Sequence, residues 1–136
     1  MIPIKSQSEI KAMRETCSIA ATVLDRMCKK VAPGVNTYDL DQFGREVIES
    51  FGAQSACYLY QAGMNTFPAH TCLSINDEVV HGIGALNRVL EEGDIITVDV
   101  CVNDNGFVGD NARTIAVGSC DPKVQSLLDA TEKSLY

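Results

Sequence analysis

"VDVCVNDNGFVGD", residues 98–110, sets two aspartates, Asp99 and Asp110, inside runs that otherwise read as apolar β-strands. "IITVDVCV" has the β-branched density and alternation of a half-buried strand, "NDNG" supplies four turn formers, and "FVGDNARTIAV" resumes an extended pattern. The stretch predicts a β-hairpin. A loop centred between Asp104 and Asn105 sets Asp99 directly opposite Asp110. An Asn105-Gly106 turn instead sets Asp99 opposite Ala112 and Asp110 opposite Cys101, which makes the aspartates diagonal neighbours. Both registers put the two carboxylates on one face, where opposed like charges destabilise a sheet. A bound cation, a shared proton or open solvent over that face are the ways to offset this.

Working outward, Ser6-Gln-Ser-Glu9 has the form of a capping box and predicts the start of a long helix. Ile10, Met13, Cys17, Ala21, Leu24 and Cys28 recur at spacings of three and four and mark its apolar face to about Lys30. "APGVNT" breaks the helix, with Thr37 placed to cap the next one, in which Leu40, Phe43, Val47 and Phe51 continue at helical spacing until Gly52. Strands are expected near 54–60 and 70–75, joined by a loop containing "AGMNTFP". "GIGALNRVLEEGD" reads as a loop leading into the hairpin. After the "GSCDPK" turn, Val124, Leu127, Leu128 and Leu135 share one face of a last helix, which meets the end of the sequence without a stop signal and suggests a chain cut from a longer one. There is no internal repeat.

Composition narrows the function classes. The 136 residues, 46% hydrophobic, suit one globular domain. A net charge of −7, with "CKK" at 28–30 as the one tight basic cluster, argues against a nucleic-acid partner. The start has no apolar signal region and no run approaches a membrane span, so the expected location is cytoplasmic. The six cysteines lack any C-x-x-C pair and are expected to be free thiols. Of the two histidines, His81 has the better claim to a site: it ends the apolar "EVV" and precedes Gly82, which lets the backbone turn and expose the imidazole.

Residues 74–118, with "NDEVVHGI", "GDIITVDV" and "GFVGDNART" in order, resemble methionine aminopeptidase of the bacterial type I class, and "APGVNTYDLD" is similar to that family's N-terminal region. The resemblance implies an α+β chain, two long helices packed on an antiparallel sheet, forming the N-terminal half of a pita-bread (creatinase/aminopeptidase) fold over residues 1–136. It implies removal of the N-terminal methionine from nascent proteins by metal-dependent peptide hydrolysis. Asp99 and Asp110 correspond to ligands of a centre of two divalent ions (Co, Mn, Fe or Zn), Asp99 chelating one and Asp110 bridging both. His81 corresponds to the catalytic histidine beside the substrate. Cys57, Tyr60, Phe67 and Cys72 correspond to the pocket for the methionine side chain, a role suited to polarizable and aromatic groups. A few inserted residues around "QAGMN" depart from the family pattern. The family completes its ligand set with a histidine and two glutamates from a second half, and no histidine follows Asp110 here. The chain alone is therefore expected to bind metal weakly or not at all and to hydrolyse little or nothing. Two further readings are a half-fold that self-associates or pairs with a C-terminal half chain, and a non-catalytic peptide-binding module. The opposed carboxylates weigh against the last, because a scaffold has no need of them.

Overall fold

The computed structural model describes residues 2–136. Helix α1 spans Gln7–Cys28 and opens with the expected capping box: the Ser6 hydroxyl accepts from the Glu9 amide, and the Glu9 carboxylate accepts from the Ser6 amide at 2.7 Å. Its buried stripe runs through Thr16, Ala20, Val23, Leu24 and Met27, while Cys17 and Ala21 are exposed. The predicted face is therefore rotated. The cause is close backbone contact with the sheet, which selects small residues: a Cβ built on Gly109 would stand 2.8 Å from the Thr16 carbonyl oxygen and 2.9 Å from the Cys17 Cα.

Helix α2 spans Thr37–Ser50. Asn36, not Thr37, is its cap, accepting from the Asp39 amide at 2.8 Å. Thr37 is fully buried, and its hydroxyl bridges both backbone groups of Ala85, so it serves a tertiary contact. Leu40, Val47 and Ile48 enter the core, whereas Phe51 stays at the surface beneath the Arg26 guanidinium. Gly44 lets α2 close on α1, since a Cβ there would meet the Met27 sulfur at 2.7 Å.

The sheet is antiparallel and centred on β5 (Ile95–Asp104). One edge of β5 pairs along its full length with β6 (Phe107–Ala116). The other edge takes β4 (Cys72–Ile75) and then the short β1 (Gln54–Ser55). Only two residues of the strand expected over 54–60 are extended. Beyond them the Ser55 hydroxyl accepts from the amides of Cys57 and Tyr58, which turns the chain away from the sheet. The expected loop around "AGMNTFP" contains a small hairpin, β2 (Gln61–Ala62) against β3 (Asn65–Thr66), with Gly63 at positive φ. Residues 82–94 form the expected loop, touching the chain before α2 through the Asn36 and Val89 bridge.

Strand β5 has the alternation that its sequence predicts. Ile96, Val98, Val100 and Val102 are fully buried beneath the two helices, and Ile95, Thr97, Asp99 and Cys101 lie half-buried on the opposite face. Helix α3 (Pro122–Lys133) is capped by Asp121 and contributes no fully buried residue. Val124 and Leu128 are half-buried, but Leu127 and Leu135 are exposed, so the apolar face expected there is only partly covered.

Candidate metal centre

The Asn105-Gly106 register is the one adopted. Both residues have positive φ (51° and 85°), and the β5 and β6 residues bracketing them, Asp104 and Phe107, are paired. That combination is the hairpin turn which the Asn-Gly dipeptide favours. Asp99 consequently faces Ala112, and Asp110 faces Cys101. The two carboxylates and the Cys101 thiol come together on the face turned away from the helices, with one donor atom from each lying within 4.8 Å of the others.

The electrostatics at this cluster favour a cation. Burial pushes the Asp99 carboxyl above the ordinary carboxylate range, and the charge of Asp110 adds to the effect while His81 opposes it. One carboxylate oxygen of Asp99 is buried and has no hydrogen-bond partner among the described residues. An orphaned buried acceptor costs about 1–3 kcal/mol, and beside a second carboxylate the fitting partner is a positive ion, not another acceptor. The donor set thus suits a divalent cation, with Asp99 and Asp110 as its carboxylate ligands and Cys101 adjacent.

Three thiols adjoin these groups. Cys57 is half-buried beside Cys101 and Cys72, and those neighbouring thiols pull its ionisation down. Cys72 and Cys101 are pushed up, first by the Cys57 thiol and then by burial, with the carboxylates reinforcing the shift. Cys72 reaches the cluster because β4 pairs it directly with Asp99. Its position is fixed from below by Asp41, a buried side chain of α2 that accepts from the amides of His70 and Thr71 at 3.0 and 2.8 Å and from the Thr71 hydroxyl at 2.9 Å.

His81 has φ 60°, in the left-handed region. The neighbouring Gly82 is held against β4: its carbonyl accepts from the Leu73 amide, its amide donates to the Ser74 hydroxyl, and a Cβ would lie 2.2 Å from the Leu73 carbonyl oxygen. Arg88 braces the same loop through the Ile83 carbonyl and the Glu78 carboxylate. The His81 imidazole meets Phe67 edge-on, ring centroids 6.4 Å apart. His70 points elsewhere, stacked on Tyr58 at 4.3 Å.

Of the residues singled out in the sequence, Asp99, Asp110, Cys57 and Cys72 thus adjoin one another, and Phe67 and His81 form a neighbouring pair. Tyr60 is joined to these residues through its backbone, its amide donating to the Cys57 carbonyl and its carbonyl accepting from the Phe67 amide, while its side chain is 64% exposed. Sequence reasoning missed Cys101 and Asp41 as site residues. Cys101 was accessible through the Asn-Gly turn chemistry, which selects the register that sets it opposite Asp110. Asp41 gave no local signal, because its partners lie about thirty residues away.

Comparison with known proteins bears on the family and the fold. The model of metallopeptidase family M24 matches residues 11–136. The methionine aminopeptidase of Aquifex aeolicus is 39% identical over 99% of this chain and 53% of its own length, and methionine aminopeptidase 1 of Bacillus subtilis is 39% identical over the whole chain and 53% of its own. The crystal structure of methionine aminopeptidase from Rickettsia prowazekii superposes with a TM-score of 0.91 at 34% identity, covering 98% of this chain and 52% of that one. Aminopeptidase P of Escherichia coli shares the fold, with a TM-score of 0.78. The chain spans about half the length of the curated relatives it matches. The α+β architecture, with two long helices on an antiparallel sheet, is that of the pita-bread enzymes, and the chain belongs to metallopeptidase family M24.

Proposed function

We propose that this chain is the N-terminal half-domain, residues 1–136, of a methionyl aminopeptidase that removes the first residue from nascent polypeptides in the cytoplasm. The observation that carries the reading is the orphaned, buried Asp99 oxygen beside Asp110, a pair that has a physical purpose once a divalent ion joins it. Divalent ions at such a site polarise a scissile carbonyl and lower the pKa of attacking water. The chain's own residues supply the rest of the chemistry within their reach. Asp99 and Asp110 hold the charge, and His81, fixed by the Gly82 anchor, hydrogen-bonds the substrate. Cys57, Cys72 and Phe67 receive the methionine side chain, with Tyr60 at the rim. Polarizable sulfur and an aromatic edge are good neighbours for a thioether.

Two carboxylates and a thiol are too few donors for a pair of ions, which need five or six protein ligands or more. In this reading the remaining ligands come from a C-terminal half covering the face of β5 that bears Asp99 and Cys101. The half-buried state of that face favours such a partner, or a second copy in its place. Methionine release from a Met-Ala-Ser peptide tests the reading, with the chain assayed with Co²⁺ or Mn²⁺, alone and mixed with the C-terminal half of a relative. Turnover only in the mixture, lost in Asp110→Asn, supports it. Activity indifferent to Asp110 refutes it, as does an inactive mixture whose solution mass shows that the two halves have joined.

A further inference from the structure

Cys101 is not one of the carboxylates that the proposed metal site requires, yet its position is that of a ligand. It lies two residues from Asp99 on the same strand face and directly across the hairpin from Asp110. Its sulfur shares the 4.8 Å cluster with one oxygen from each. Donor atoms around one tetrahedral ion stand about 3.3–3.6 Å apart, given Zn–S near 2.3 Å and Zn–O near 2.0–2.2 Å. The observed spread is thus within a side-chain rotation of a three-ligand set. A cysteine serving only as a small packing residue would have apolar neighbours. This one borders Asp110 and Asp99, and the nearby Asp99 oxygen lacks a protein donor among the described residues.

We propose that Cys101 is a metal ligand of this centre, supplying a thiolate beside the carboxylates and biasing the site toward thiophilic ions such as Zn²⁺ and Co²⁺ over Mn²⁺ and Mg²⁺. The inference rests on the reading that Asp99 and Asp110 bind a divalent ion. On binding, the Cys101 S–H bond breaks, its proton leaves to solvent, and a sulfur–metal bond forms; no group changes oxidation state. Sulfur donors select softer ions because affinity among first-row metals depends on ligand type as well as charge. Asp99, Cys101 and Asp110 together would present a net charge of −3 to the ion, whose positive charge counters the repulsion among them.

The test is Co²⁺ titration of the full 136-residue chain under reducing conditions, following the near-ultraviolet thiolate-to-cobalt charge-transfer band together with bound cobalt by equilibrium dialysis. The expected result is a band that saturates with the metal and disappears in both Cys101→Ser and Cys101→Thr, but persists in Cys57→Ser and Cys72→Ser. Affinity for Co²⁺ and Zn²⁺ should fall in the Cys101 variants by at least the roughly 10- to 100-fold that loss of even an outer-sphere partner costs, with Mn²⁺ affinity little changed. Circular dichroism of each variant separates loss of the ligand from loss of the fold, and two substitutions of different shape guard against one that misfolds. Cobalt bound through Asp110 without a band, or with a band that survives Cys101 replacement, overturns the inference and leaves the carboxylate site standing. No saturable binding at millimolar cobalt overturns the inference, while the proposed function stands or falls on the assay with the C-terminal half.

Discussion

Cys101 lies directly across the β5–β6 hairpin from Asp110, and Asp99 lies across from Ala112, so the two carboxylates are diagonal neighbours with a thiol between them. Diagonal cross-strand neighbours stand about 7–8 Å apart at Cα, against about 4.5–5.5 Å for opposed residues. The wider placement eases the repulsion and leaves room for an ion between the side chains. It also makes the thiol a third wall of the same site.

Because the carboxylates repel in the absence of an ion, Asp99→Asn should stabilise the metal-free chain by a few tenths to about 1 kcal/mol. The same substitution should reduce stabilisation by metal, which for the unaltered chain reaches about 2.7 kcal/mol at a hundredfold excess over the dissociation constant. Thermal unfolding with and without Co²⁺ reads both effects. A substitution that lowers metal-free stability and leaves the metal-induced shift intact would show that the pair serves packing instead.

Gly109 and Gly82 hold the two close approaches that shape the site. Gly109→Ala forces a Cβ against the Thr16 carbonyl and should cost about 1–3 kcal/mol by pushing α1 from the sheet. Gly82→Ala meets the β4 backbone still more closely and should also displace His81. Its signature is a changed His81 imidazole resonance in NMR, which Gly109→Ala leaves unmoved.

Asp41 accepts three hydrogen bonds from His70 and Thr71, the residues that lead into Cys72. Asp41→Ala strands three donors, two of them on the fully buried Thr71, and should cost about 3 kcal/mol or more. Asp41→Asn keeps an acceptor oxygen and should cost less. Urea denaturation of the two variants tests the ordering, and equal losses would show that the side chain's volume, not its acceptor, matters.

The capping box gives the first helix a pH dependence. Hydrogen bonds from the Ser6 amide and hydroxyl hold the Glu9 carboxyl below its ordinary value. A carboxylate depressed on folding contributes stability that is present above its unfolded pKa and is lost as pH falls through the folded one. Glu9→Gln should therefore flatten the acid limb of the stability curve by losing that contribution at neutral pH, the two proteins converging as pH falls through the folded pKa. An acid limb identical in both proteins would remove Glu9 from its cause.

Local chemistry made much of this fold legible. The Ser6 and Glu9 pair fixed the start of α1, alternation in β5 separated the core residues from Asp99 and Cys101, and Asn105-Gly106 carried the register. Residues whose roles depend on distant partners were not legible. Thr37 looks like a cap but is claimed by Ala85, and the buried stripe of α1 is set by Gly109 nearly a hundred residues later. The same limit hid Asp41. At the site, the carboxylates were visible as a charge conflict within an apolar hairpin, whereas Cys101 looked like one more strand residue until the register placed it beside Asp110.

In the proposed function Asp99 and Asp110 hold a divalent cation. Isothermal titration of Co²⁺ into the unaltered chain, Asp99→Asn, Asp110→Asn and the double variant measures this directly. Saturable binding that weakens in each single variant and vanishes in the double one is the predicted result. Binding of equal strength in the unaltered and doubly substituted chains would contradict it.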